Sequence, residues 1–354
     1  MRALFILSLA AASLASAAPV AVYVSERGEN RIVCWHLDES TGELTRRSET
    51  PLPGAPGSLA ISTGGRQLHA AIRSAKQFAS FQIKPKTGEL SGPVLAPAGF
   101  NAAYVALDKT GCWLLAASYS EGVVGVSRVT DGVVSGEPLQ IIETGKKAHC
   151  IQLSPDNRFA FVPHVGELNK VEQLRFDAAS GTLTPNEPPH MPGGTGEGPR
   201  HMQFHPNGRW AYFVNEQGKS VSLCDYDATT GTMKLRQTVP TVPSDWDLRQ
   251  GSCADIHITA DGQFVYASNR GHDSIAMFAI NVADGTLASL GQAPTAKTPR
   301  SFCLTPGDAY LVSAGEGAAS LVVYRRDSQS GKLETLKTYP CGEGPAWITS
   351  TRVP

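Results

Sequence analysis

Arg200-His201-Met202-Gln203-Phe204 is followed by His205-Pro206-Asn207-Gly208, then by Trp210-Ala211-Tyr212-Phe213-Val214, then by Ser220–Tyr226, and it closes on Gly231-Thr232-Met233. The stretch reads as a strand, a polar turn, two further strands and a glycine turn. The same closing turn recurs at Gly42, Gly88, Gly132, Gly181, Gly231, Gly285 and Gly331, at spacings of 46, 44, 49, 50, 54 and 46 residues. Short strands at this interval, four to a period, are the pattern of a β-propeller blade. The expected fold is all-β, a seven-bladed β-propeller.

First strands begin near Gly57, Ala103, His149, Arg200, Ala254, Arg300 and Pro345. The last, Pro345–Ser350, has no room for a following blade, while Val20–Ser25 reads as the second strand of a unit that lacks its first. Pairing the C-terminal strand with the N-terminal blade closes the ring and leaves no open edge between first and last blades.

Residues 1–18 have the three parts of a secretory signal: Arg2, the apolar run Ala3–Leu14, and the small-residue site Ala15-Ser16-Ala17. The expected organisation is a signal peptide over 1–18 and one propeller domain over 19–354, exported to a periplasm or secreted. Hydrophobic residues make up 41% of the chain, enough for a continuous core, and the formal net charge is −1. That balance gives no reason to expect nucleic acid or, after signal cleavage, a membrane as partner. A monomer is expected. The seven cysteines form no C-x-x-C pair, which leaves zinc and redox motifs unsupported. An exported protein is permitted a disulfide, and the spacing selects none.

The first two strands of each repeat form a hairpin, so the start of strand one and the end of strand two share a rim. The start column reads Gly57, Ala103, His149, Arg200, Ala254, Arg300, Pro345, and the end column reads Glu26, Arg73, Tyr119, His164, Glu216, Arg270, Gly315. One channel mouth thus collects arginines, histidines and a glutamate. Counting across the hairpins sets Arg200 opposite Asn215, His149 opposite His164 and Ala254 opposite Asn269. Each arginine could equally fasten blades, but four on one rim suit a carboxylate or phosphate, because each guanidinium offers a planar fork of donors.

Gly198-Pro199-Arg200-His201-Met202, Phe204-His205-Pro206-Asn207, Val214-Asn215-Glu216, Ala254-Asp255-Ile256-His257-Ile258, Pro299-Arg300 and Gly342-Glu343-Gly344-Pro345-Ala346-Trp347 occur in this order, with Ser154-Pro155-Asp156-Asn157 ahead of them. Together they resemble the seven-bladed lactonase family, which includes the propeller-type 6-phosphogluconolactonase of bacteria and the fungal 3-carboxy-cis,cis-muconate lactonising enzyme. The resemblance covers the whole mature chain. It implies a catalytic set of His149, Arg200, Glu216 and Arg270. Two features depart from it. His164–Lys170 replaces an Asp-Leu-Gly-x-Asp-Arg run found in many relatives, and the leader does not suit a cytosolic metabolite.

The leading expectation is a hydrolase of a sugar-acid lactone, 6-phosphogluconolactonase-like, that uses neither metal nor cofactor. Glu216, kept ionised by Arg200, or His149, with an ordinary pKa nearer neutrality, would activate water. Arg270, Arg73 and Arg300 would bind an anionic tail, with Tyr119 and His164 completing the substrate site. Two alternatives stay open: cycloisomerisation of a muconate-like diacid, and a non-catalytic propeller that binds a ligand or partner. A calcium-dependent gluconolactonase built on Glu216, Asn215, Asn269 and Asp255 ranks below these. Strand alternation turns the asparagines away from Glu216, and arginines repel a cation.

Overall fold

The computed structural model describes residues 19–354, so the expected signal peptide over 1–18 lies outside the described residues. The described chain forms seven antiparallel sheets. Blade 5 shows the pattern: Pro199–Phe204 pairs with Trp210–Asn215, which pairs with Ser220–Asp227, which pairs with Thr232–Pro240. Trp210–Asn215 is buried throughout, as a strand covered on both faces must be, whereas outer Thr232–Pro240 is mostly open to solvent. Blade 3 departs from the rule, because its outer edge is split between Val133–Val134 and Gln140–Glu143.

The closing turns explain the repeat. Gly231 has φ +69°, and a Cβ there would lie 2.1 Å from the Phe159 ring of blade 4. Gly285 has φ +80° and meets Trp210 of blade 5 at 2.5 Å in the same way. The turn therefore needs glycine for its left-handed backbone and for the aromatic side chain seated on it. Tyr212 adds a hydrogen bond by donating its hydroxyl to the Gly285 carbonyl at 2.6 Å.

The ring closes as the sequence requires. Pro345–Arg352 pairs along Val20–Glu26 and becomes the inner strand of the blade completed by Arg31–Leu37 and Leu44–Pro51. All seven cysteines are free; Cys34, Cys224, Cys253 and Cys303 are buried strand residues, Cys150 is buried just ahead of a strand, Cys341 is half-buried and Cys112 exposed.

The register at the rim differs from the count across the hairpins. Pro199 faces Asn215 and His201 faces Val214, with Arg200 bulged out between them. Ala148, not His149, faces His164, and Cys253, not Ala254, faces Asn269. Bulges recur at the same level beside Gly57, Ala103, Arg300 and Ala346. An extra residue at the rim bends the strand and re-aims a side chain. The rim column was legible, and its one-residue offset was not. In blade 1 the bulged residue is Ala346, one past Pro345.

Candidate active site at the channel mouth

Bulged inner-strand residues and the ends of the second strands meet at one mouth. A cavity of about 230 Å³ there is lined by Arg73, Ala103, Tyr119, His149, Glu216, Arg270 and Arg300. A narrower cleft continues from it past Arg27, Ser58, Arg200 and Trp347. Of the eight residues singled out in the sequence, seven therefore line this mouth.

Glu216 is held through its backbone before its side chain. Its N–H donates to the Gly198 carbonyl at 2.7 Å, and its carbonyl accepts from Cys253 N–H of the next blade at 3.2 Å. Its Oε2 lies 2.9 Å from Arg200 Nε and 3.2 Å from Arg270 Nη2. The Arg200 N–H is aimed off that line and counts as an unmatched donor, so the contact is ionic rather than a well-formed hydrogen bond. Glu216 Oε1 takes only a long contact, 3.4 Å, from the Gln217 amide. One carboxylate oxygen is thus held by two guanidiniums, and the other keeps lone pairs for a water.

Arg200 is 1% exposed. Its Nη1 donates to the Ala254 carbonyl and approaches His201 Nε2 at 3.2 Å. Burial and the charges of Arg270 and Arg300 lower its pKa, with Glu216 and Asp255 opposing them. Arg270 Nη2 also donates to the Cys253 carbonyl at 2.8 Å. Arg270, expected to bind a substrate tail, lines the cavity and also lies against the Glu216 carboxylate.

His149 packs edge-on to Tyr119 with ring centroids 5.5 Å apart, and its Nδ1 is buried without a partner. Burial, then Arg200, His201 and Arg300, hold its pKa well below the usual imidazole range. Its ring is therefore neutral at neutral pH and stays so well below pH 6.5. The expectation that it titrates near neutrality rested on an unperturbed imidazole, and a wholly buried ring among cations is not one.

Arg73 Nε donates to Asn101 Oδ1 at 2.9 Å, and among the described residues its guanidinium pairs with no carboxylate. Arg300 has Glu316 only at 3.9 Å. These two are the cations at the mouth with charge to offer a ligand. His164 sits apart: it is fully buried, and its Nδ1 is 3.1 Å from the Lys146 carbonyl. Glu26, in the same rim column, turns away to Arg31 Nε at 2.7 Å and Gly342 N at 2.8 Å. Sequence reasoning missed Arg27, which lines the cleft and pairs with Glu316 at 2.9 Å. The signal was its place beside Glu26 in the rim column, one residue out of register. It also missed Trp347, although that residue closes a quoted motif.

Asn215 directs its amide into its own blade, to Ser220 and Ser222 at 2.8 Å, and Asn269 donates to Ser274 of its own blade at 3.1 Å and to the Thr241 carbonyl, just past the outer strand of blade 5, at 3.0 Å. Asn269 Oδ1 accepts from the Cys253 thiol at 3.2 Å.

Residues 8–98 and 94–350 match the family described as Lactonase, 7-bladed beta-propeller. The chain belongs to the seven-bladed β-propeller lactonase family. It is 34% identical over 330 residues to a 6-phosphogluconolactonase of Yersinia pestis (strain Pestoides F), covering 93% of this chain and 97% of the relative. A 6-phosphogluconolactonase of Pectobacterium carotovorum subsp. carotovorum (strain PC1) is 32% identical over 331 residues, with the same coverage, 93% and 97%. Among solved structures, a periplasmic gluconolactonase of Pseudomonas aeruginosa superposes with TM-score 0.85 at 26% identity, covering 96% of this chain and all of that one. By family the propeller is a lactone-hydrolysing enzyme, a hydrolase of a cyclic carboxylic ester.

Proposed function

We propose that this lactonase opens a sugar-acid lactone of the 6-phosphogluconolactone type at the channel mouth, by metal-independent attack of water on the ring carbonyl. The supporting observation is the Glu216 carboxylate, held through Oε2 by Arg200 and Arg270, its Oε1 taking only the long Gln217 contact, on a residue that lines one cavity with His149. Water held on Oε1 loses its proton there as its oxygen bonds to the lactone carbon. The carbonyl becomes an oxyanion, which a guanidinium at the mouth stabilises more than it does the neutral ester. When the carbonyl re-forms, the ring C–O bond breaks. The departing oxygen takes up the proton and leaves a hydroxy acid. His149, neutral and lining the same cavity, is the other group able to receive the water proton.

Arg73 and Arg300 bind the anionic end of the substrate, since neither is neutralised at close range by a carboxylate. Tyr119 supports the His149 ring, whereas His164 acts as a buried strut rather than a ligand contact. Arg73→Ala is expected to raise KM for a phosphorylated lactone by ~10-fold or more, the loss of a charged hydrogen bond being ~1.5–3 kcal/mol. The unphosphorylated lactone should respond little. Equal KM changes for the two lactones would remove Arg73 from the anion site.

The apolar leader and the small-residue site after it favour export. Residues 1–18 fused to a reporter that is active only outside the cytoplasm should yield activity. A silent fusion would place the enzyme in the cytosol.

A further inference from the structure

Directly beneath Arg200 lies a buried polar layer that the reaction described above does not use. It is formed by the residues that follow the rim column: His201 after Arg200, Asp255 after Ala254, and Ser301 after Arg300. His201 is 3% exposed and Asp255 4%, and both sit in the channel interior. The His201 ring is boxed by Tyr104, His149 and Trp347, with centroids 5.2, 5.2 and 5.5 Å away.

The hydrogen bonds here allow one proton arrangement. Arginine donates and never accepts. Arg200 Nη1 is 3.2 Å from His201 Nε2, so that nitrogen carries the lone pair and the proton is on Nδ1. His201 Nδ1 then donates to Asp255 Oδ1 at 2.8 Å. Asp255 is saturated as an acceptor. Ile256 N–H donates to Oδ1 at 3.0 Å, while the Ser301 hydroxyl and Phe302 N–H donate to Oδ2 at 2.9 and 3.3 Å. A carboxyl so surrounded by donors is ionised. Burial alone would raise it, but His257 and the His201 hydrogen bond hold it well below the usual range. His201 is pushed down to about 4, by burial and then by Arg200, which keeps the ring neutral and its Nε2 lone pair available.

We propose that His201 and Asp255 are a positioning couple for the lactonase site. Asp255 fixes the His201 tautomer, His201 Nε2 accepts from Arg200, and Arg200 is thereby held against Glu216. Neither residue touches substrate. The couple rests on the Glu216 and Arg200 roles given under Proposed function. It answers a specific need, because a wholly buried guanidinium has rotamers to choose among and requires an acceptor on each side to stay in one. The Ala254 carbonyl and His201 Nε2 supply the two acceptors at Nη1, and the Glu216 charge lies against the Nε edge.

The test uses the full-length enzyme with the variants His201→Gln, His201→Phe and Asp255→Asn. Turnover on any lactone the parent hydrolyses is read beside KM, melting temperature and the ¹⁵N resonances of His201. Phenylalanine keeps the packing against Tyr104 and Trp347 but offers no lone pair. It should lower kcat on the order of 10–100-fold, as loss of the outer partners of metal-bound histidines does, with KM nearly unchanged. Glutamine can accept from Arg200 and donate to Asp255, and should restore most of that turnover. Asp255→Asn should lower kcat comparably and weaken the Nδ1–H signal that the parent shows.

The proposal is overturned if His201→Phe turns over at the parent rate, if glutamine is no better than phenylalanine, or if His201 in the parent carries its proton on Nε2. The last reading needs no variant to fold. An Asp255→Asn protein that folds with full turnover would reduce Asp255 to a tie between its own strand, Ser252–Ile258, and Pro299–Leu304 of the next blade. Glu216→Gln separates the two levels of the account. If it collapses turnover while His201→Phe does not, only the couple fails; if it keeps full turnover, the underlying site assignment fails.

Discussion

Glu216→Gln is expected to lower kcat by roughly two to four orders of magnitude, the usual worth of a positioned general base. The amide keeps the shape and can still accept from Arg200 and Arg270, but its second arm is an NH₂ that cannot take a proton from water. Stability should change little, because the backbone bonds to Gly198 and Cys253 are untouched. His149→Gln is the companion. If His149 is the base, it carries the larger loss. Its burial among cations then fixes the sign and place of the pH effect: activity needs the unprotonated ring, so the acid limb falls well below pH 6.5 rather than near it. Purified variants followed by acid release at several pH values decide between the two. Near-parent turnover in both would make these residues structural.

Deleting residues 344–354 is expected to unfold or aggregate the protein. The segment supplies the innermost strand of blade 1, paired along the whole of Val20–Glu26. Its Ala346, Ile348 and Val353 are at most 5% exposed. Burying Ile348 or Val353 is worth ~1.5–3 kcal/mol each and Ala346 less, so with the lost strand pairing the deletion reaches into the ~5–15 kcal/mol stability of a whole domain. The deletion also exposes an unpaired edge at the ring's centre, which invites strand addition between molecules. Melting and size-exclusion profiles identical to those of the intact chain would contradict the closure.

The repeat made the fold legible. Glycine turns at near-constant spacing, largely apolar second strands and incomplete units at both termini each have one economical explanation, and all three agree. The rim columns were legible for the same reason, since they follow from blade geometry. What could not be read is what happens within a single residue of register. A bulge at the rim of each inner strand moves Arg200 and His149 out of their counted pairs, and nothing in the local composition distinguishes a bulged residue from a paired one. Arg27 was hidden by that same uncertainty, one place from Glu26. The role of Arg270 depended on whether its guanidinium reached a carboxylate of a neighbouring blade. That is a contact between residues 54 positions apart in sequence, which strand periodicity does not encode. The neutral state of His149 likewise follows from burial among charges brought in from blades 5 and 7.

The most direct test of the central claim, that Glu216 and its arginines open a lactone without a metal, is acid release by purified residues 19–354 after exhaustive chelation. Gluconolactone, its 6-phosphate and carboxymuconate are supplied in parallel, with Glu216→Gln run beside the parent. The account predicts that at least one of the two lactones is hydrolysed at an undiminished rate by the chelated parent and is left nearly intact by the variant. Hydrolysis that vanishes on chelation and returns with a divalent cation, or turnover of carboxymuconate alone, would contradict it.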